Sequence, residues 1–189
     1  MADGPVRASA GVAVQHLVLR VRDIDASHRF YTEILGFEQC GALDPEKFPF
    51  DMRFYRGAPD HHHELALCQL TDVTAAPPVE APWQMIVGKT PGIDHIAMCY
   101  PSRDAWLSQL EWMKSQDVEF LVRGNHGMTH SAYIADPDGN GIEVLYDLPR
   151  EVWEGDVNAA LNYFDPKPVD GAEALADDTE YARFQRATS

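Results

Sequence analysis

Apolar and polar positions along the chain pass through the same order twice. Residues 12–21 are rich in β-branched side chains and predict a strand, with His16 inside it. Asp23 and Asp25 follow as candidate caps for a helix whose apolar positions Phe30, Tyr31, Ile34 and Leu35 recur at helical spacing, with Gly36 as its stop. Residues 37–41 predict a short strand, residues 50–56 alternate Phe50, Met52 and Phe54 with polar neighbours, and residues 61–70 predict a further strand after a turn at 57–60. From Ile93 the order restarts. Residues 94–100 predict a strand with His95 near its start, and residues 101–104 open a helix with Trp106, Leu107, Leu110 and Met113 at helical spacing. Residues 118–122 predict the next strand, and the apolar runs 131–135 and 141–146 then flank Asp136-Pro137-Asp138-Gly139-Asn140. Proline presets φ for a turn and glycine accepts φ > 0, so this last stretch predicts a β-hairpin.

Both halves therefore read β-α-β-β-β, and His16 answers to His95 at a repeat of about 79 residues. One such unit has an apolar sheet face that it cannot cover alone. The expected fold is α+β, with two paired βαβββ modules at 12–71 and 93–147 curving into a cup-shaped mixed sheet. Alternation along the strands points the strand-initial histidine of each module into the shared interior. Residues 72–92 hold Pro77, Pro78, Pro82 and Pro91 and predict a linker, although Trp83, Met85, Ile86 and Val87 give it something to bury. The acidic C-terminal extension, 148–189, predicts an extended exit at 148–153 and a short helix at 156–163. Beyond that its large anchors are Tyr181 and Phe184, so it wraps the domain, enters a subunit interface or ends in disorder.

Composition narrows the class of function. The 45% hydrophobic content is ordinary for a globular protein, and no apolar run approaches the roughly 18 residues of a membrane span. Residues 1–12 carry neither a secretory apolar core nor a polybasic run, so the expected location is the cytoplasm. A formal net charge of −15 argues against nucleic acid or an anionic membrane as partner. Cys40, Cys68 and Cys99 form neither a CxxC pair nor a disulfide framework, which fits a reducing compartment.

The chemistry-bearing residues fall into two sets. His16 and His95 come from the first strand of each module and Glu143 from the last strand of the second. Two histidines and one carboxylate with open coordination positions is the donor set of non-haem Fe(II) oxygen chemistry. Around them stand His62, His63, His126, His130 and Tyr133. His63 leads into the strand carrying Leu65 and Leu67, and Tyr133 lies across the hairpin from Glu143 on a neighbouring strand. Phe48, Phe50, Met52, Phe54, Trp83 and Met128 are candidate pocket walls or plain core.

These motifs carry a resemblance. Over residues 12–153 the chain resembles the vicinal oxygen chelate superfamily, and within it the type I extradiol catechol 2,3-dioxygenase-like proteins. His16 in Gln-His-Leu-Val-Leu, His95 in Ile-Asp-His-Ile-Ala and Glu143 in Gly-Asn-Gly-Ile-Glu fall on the family's metal ligands. His63 in His-His-Glu-Leu-Ala-Leu falls on its acid–base histidine, and His126 in Asn-His-Gly and Tyr133 in Ser-Ala-Tyr-Ile on the side chains beside the substrate hydroxyls. Strand-initial histidines and DPxGNxxE recur throughout the superfamily and point to the fold; His63 with His126 and Tyr133 points to ring cleavage. The spacing from His126 to Tyr133 is shorter than in larger members. The resemblance implies a homo-oligomeric enzyme holding Fe(II), or Mn(II), and adding O2 to a small aromatic diol.

Two other readings stay open at this stage. The repeat maps Glu143 onto Glu64, which gives the four-ligand set His16, Glu64, His95 and Glu143 of a Zn or Ni enzyme resembling glyoxalase I or an epimerase. Strand parity lets His63 or Glu64 face the metal, not both. The remaining reading is a non-catalytic small-molecule-binding module of the same fold.

Overall fold

The structure is a computed structural model, described here for residues 14–76, Val79, Trp83 and residues 92–185. Two sheets form, one per module, with the same connectivity. The first runs β1-β4-β3-β2 and is built from β1 (Leu17–Val21), β2 (Glu38–Ala42), β3 (Met52–Arg56) and β4 (Leu65–Gln69). The second runs β5-β8-β7-β6-β9, from β5 (His95–Cys99), β6 (Val122–Asn125), β7 (Thr129–Ala135), β8 (Gly141–Asp147) and the short β9 (Asp165–Pro166). In each module the first strand pairs parallel with the last, and the chain between them carries a helix and two further strands, a connection long enough for a parallel pair. The α+β fold of two βαβββ modules read from the repeat is the observed one.

The crossover helices begin where the caps predict. Asp23 accepts from the backbone N–H groups of Asp25 and Ala26 and starts α1 (Ile24–Arg29), which continues as a π-helical turn over Phe30–Ile34. Gly36 follows at φ 85°, a left-handed stop that a side chain would strain. Ser102 caps α2 (Arg103–Ser115) through the N–H of Ala105. The two helices meet: Trp112 Nε1 donates to Glu33 O at 2.8 Å, and Gln109 donates to Ile34 O. Tyr31, Leu35, Tyr55 and Leu67 from the first module join Trp106, Leu110, Met113, Ile142 and Val144 from the second in one core. Trp106 is fully buried and donates its indole N–H to Val144 O at 3.0 Å, so truncation there removes about 3–5 kcal/mol.

Three segments depart from the pattern. The strand expected over 61–70 starts only at Leu65; the Glu64 backbone is already bonded to Tyr55 O and Leu17 N, while its side chain reaches back to the turn at Gly57 and Ala58. The strand expected over 118–122 starts at Val122; Phe120 is spent on the core instead. The exit expected to be extended over 148–153 contains a helical turn, α3 (Arg150–Trp153), followed by α4 (Val157–Leu161) with Asp156 as its cap. Most of the linker, including Met85, Ile86 and Val87, lies outside the described residues. No helix among the described residues is long and apolar enough to cross a membrane.

Candidate functional site

The hairpin turn of the second sheet is held by a set of side-chain bonds. Asp136 Oδ1 accepts from the N–H groups of Asp138 (2.9 Å) and Asn140 (2.8 Å), and Gly139 takes φ 83°. Asp136 Oδ2 also accepts from the Tyr31 hydroxyl at 3.0 Å, and Asp138 pairs with Arg22 at 2.8 Å, so the turn is clamped to the first module. This fixes the register that sets Tyr133 opposite Glu143 and Ala97 beside it, two residue pairs on from His95 and Gly141.

Four of the expected residues come together on this frame. Glu143 is 7% exposed; its Oε2 lies 3.2 Å from His95 Nε2 and its Oε1 accepts from the Tyr133 hydroxyl at 2.8 Å. Tyr133 has one hydroxyl proton and gives it to Glu143, so the contact at 3.0 Å with His126 Nε2 is a bond donated by His126. Burial and the adjacent Glu143 push the Tyr133 phenol well above its usual value, which keeps it a donor. Burial, reinforced by His95 and His130 and opposed by Glu143, pulls His126 below the usual histidine value. Trp83 covers the cluster, its indole stacked on Tyr133 with centroids 5.3 Å apart. A Cβ at Gly141 would lie 2.7 Å from Trp83 Cδ1, so a side chain there would displace that ring.

The other two residues form a second group in the first module. His16 and His63 have ring centroids 4.6 Å apart, and Phe54 closes on His63 at 5.2 Å. Slight burial and the neighbouring His62 and His16 lower the pKa of His63, which favours its neutral form. Glu64 is turned elsewhere. Its Oε2 accepts from Gly57 N at 2.6 Å and Ala58 N at 3.0 Å, and its Oε1 pairs with His61 Nδ1 at 2.8 Å. Although burial acts to raise its pKa, these bonds outweigh it and hold the carboxyl below its usual range.

Strand-initial His16 and His95 share a feature that their positions alone do not reveal. Each has Nδ1 engaged by a side-chain oxygen of the residue before it, Gln15 for His16 and Asp94 for His95, the latter at 2.7 Å. With the proton on Nδ1 in that contact, Nε2 presents its lone pair, the state in which imidazole binds a metal. His95 Nε2 and Glu143 Oε2 would then be two acceptors facing each other, an arrangement a shared cation or proton relieves. These donors suit a first-row divalent ion, but they are only two. His16 stands with His63, and among the described residues no three His, Cys, Asp or Glu side chains are gathered to hold a metal ion.

The pattern along the chain gave no role to His130 or to the extension, and the structure joins them. Asp177 accepts from His130 Nδ1 (2.6 Å), the Tyr146 hydroxyl (2.8 Å) and Arg103 Nε (2.8 Å). The signal was present only as one buried-type histidine on the core face of β7 and one acid in a weakly patterned tail.

A family model described as the Glyoxalase/Bleomycin resistance protein/Dioxygenase superfamily matches residues 13–144. Among curated proteins, the catechol-2,3-dioxygenase of Bacillus subtilis is 25% identical over 73% of this chain and 42% of its own length. The lactoylglutathione lyase of Pseudomonas putida is 28% identical over 75% of this chain and 89% of its own. The biphenyl-2,3-diol 1,2-dioxygenase 3 of Rhodococcus globerulus is 24% identical over 70% of this chain and 62% of its own, so the chain spans less than two thirds of either dioxygenase. Of solved structures, the trypanothione-dependent glyoxalase I of Leishmania major superposes with a TM-score of 0.50 at 27% identity, covering 72% of this chain and 87% of that one. A glyoxylase/bleomycin resistance protein/dioxygenase domain from Frankia sp. EAN1pec superposes with a TM-score of 0.56 at 18% identity, covering 74% and 100%, a likeness of fold.

Proposed function

The chain belongs to the Glyoxalase/Bleomycin resistance protein/Dioxygenase superfamily, and within it we propose an extradiol dioxygenase that opens a catechol-type ring with O2. Relatives of both the dioxygenase and the lyase kind stand at similar identity, so the reading rests on the site and not on the kinship. The observation that carries it is the division of labour between His63 and Glu64. A four-ligand Zn or Ni lyase needs Glu64 as a donor, whereas this Glu64 is committed to the backbone of Gly57 and Ala58 and to His61. His63 lies against His16 instead.

On this reading His95 and Glu143 hold the metal and His16 is the third ligand. Completing the set requires the open face of the first module to meet that of the second, within the chain or across a homo-oligomer. Fe(II), or Mn(II), held by these residues would supply the binding of diol and O2 and the electron transfer that ring opening needs. Every other task falls to the protein's own groups. Tyr133 and His126 orient the diol by hydrogen bonds, Trp83 and Phe54 flank the two clusters as apolar walls, and His63 holds and returns a proton beside the substrate. Both atoms of O2 enter the ring-opened product, so no outside reductant is consumed.

The test is reconstitution. Protein loaded anaerobically with Fe(II), then given a panel of catechols in air, is expected to form a yellow ring-opened product with matching O2 uptake. No turnover across the panel, with metal shown to be bound, overturns the reading.

A further inference from the structure

We propose that the C-terminal extension is a working part of this site, with Phe164 as a positioning residue for His126. The inference rests on His126 acting on substrate as read above.

The extension returns to the second sheet as β9, pairing Asp165 with Asn125 and Pro166 with Gly124 at the end of β6. Lys167 N donates to Arg123 O at 2.9 Å and prolongs the ladder by one bond. His126 follows directly on that strand end. The ring of Phe164 lies on the backbone of Gly124: a Cβ there would be 2.9 Å from Phe164 Cζ and closer still to Cε2. The same ring sits 4.9 Å from the His126 imidazole, tilted by 38°. On the other side of His126, Gly127 takes φ 77°, and a Cβ there would lie 2.9 Å from Phe184 Cε2 and 3.0 Å from Ala160 O. Two glycines thus flank His126, and side chains of the extension fill the space above both.

Without Phe164 the imidazole keeps one hydrogen-bond partner, the Tyr133 hydroxyl; the bond from His126 N to Thr129 O holds the backbone and not the ring. A ring held by a single bond at Nε2 can swing about its side-chain torsions. Phe164, with its ring centroid 4.9 Å from that of the imidazole, takes up space such a swing would need. It is 43% exposed, so it is not a core residue whose loss should unfold the domain. The extension itself is fastened independently, by Asp177 to His130, Tyr146 and Arg103, and by Arg123 to the carbonyls of Glu173 and Ala176.

The experiment uses the full chain with Phe164→Ala and the bulkier Phe164→Leu. In metal-free protein, ring-nitrogen NMR should report His126 with its proton on Nε2. Phe164→Ala is expected to shift and broaden the His126 ring signals, Phe164→Leu to restore most of the change, and His130 signals to stay put as the control that the extension remains docked. Unchanged His126 signals in Phe164→Ala overturn the proposal, whatever the enzyme does. In protein that turns over a catechol, Phe164→Ala should lower kcat about 10-fold with KM changed less than about 3-fold. In a His126→Gln background the same substitution should cost less than about 2-fold, because two residues acting through one step are not additive. Multiplicative losses overturn the proposal. Shifted His126 signals in a protein that opens no catechol would uphold the positioning role and condemn the ring-cleavage reading instead.

Discussion

The hydroxyl of Tyr133 donates to Glu143 across the β7–β8 hairpin at 2.8 Å, and the two residues are registered partners in the ladder. Both are almost wholly buried, so the bond holds a carboxyl group that has little water to turn to. Tyr133→Phe leaves the ring and its stacking on Trp83 and removes only the oxygen. It should cost about 1–3 kcal/mol, the range for a buried polar group that loses its partner. Thermal melts check that figure, and metal titration should show weaker retention, since Glu143 loses the bond that orients it.

Glu64 gives the sharpest separation between the dioxygenase and lyase readings. Its carboxyl accepts two backbone N–H groups and pairs with His61. Glu64→Gln keeps one acceptor oxygen and should lower stability by about 0.5–1.5 kcal/mol while metal content stays at the wild-type level. Elemental analysis of the reconstituted variant decides the matter: loss of the metal would make Glu64 a ligand and return the four-ligand lyase to first place.

His63 lies beside a proposed ligand without being one. His63→Ala is expected to keep its metal and lose catechol turnover by about 100-fold, within the range for removing a positioned acid–base group. Burial and the two neighbouring histidines lower its pKa, so the acid limb of the wild-type rate profile should fall below about 6.5, the ordinary histidine value. Depressed in this way, the group is neutral throughout the range above that value and gains its proton only as pH falls further. A rate profile of wild type and variant tests it, for the acid limb should vanish with the imidazole.

How much of this was legible depended on whether the information was periodic. The two modules, the capping by Asp23 and Ser102, the hairpin, and the facing of Tyr133 and Glu143 follow from repeats and turn chemistry that any window of the chain displays. The commitment of Glu64 was not legible, because neighbouring residues on a strand announce their parity but not which side chain reaches back to cap a turn. Nor was the separation of His16 from His95. Contacts between the modules, such as Arg22 with Asp138 and Tyr31 with Asp136, join positions more than a hundred residues apart and share no pattern along the chain. The extension was opaque for the same reason: Asp177 looks like any acid in an acidic tail until its three donors are in view.

Those three donors make a last prediction. Asp177 is 2% exposed at its side chain and sits among His130, Tyr146 and Arg103. Burial alone would raise its pKa, but the bonds from His130, Tyr146 and Arg103 outweigh it and leave the carboxyl below its usual range. A carboxyl depressed in the folded state stabilises the protein fully above its unfolded value, about 3.9, and loses that contribution as pH falls through the lower folded value. The contribution of Asp177 to docking of the extension should therefore be lost as pH falls below about 4. Hydrogen exchange of residues 162–178 across that range measures it directly. Asp177→Asn should abolish this acid-dependent step, because no carboxyl remains to titrate, while lowering stability at neutral pH by about 3 kcal/mol through the loss of one partner in a buried ionic cluster. The same variant should raise exchange at the Gly124–Gly127 segment, since the strand that covers it is anchored through Asp177. Unaltered exchange there would mean that β9 and Phe164 hold their place without the latch.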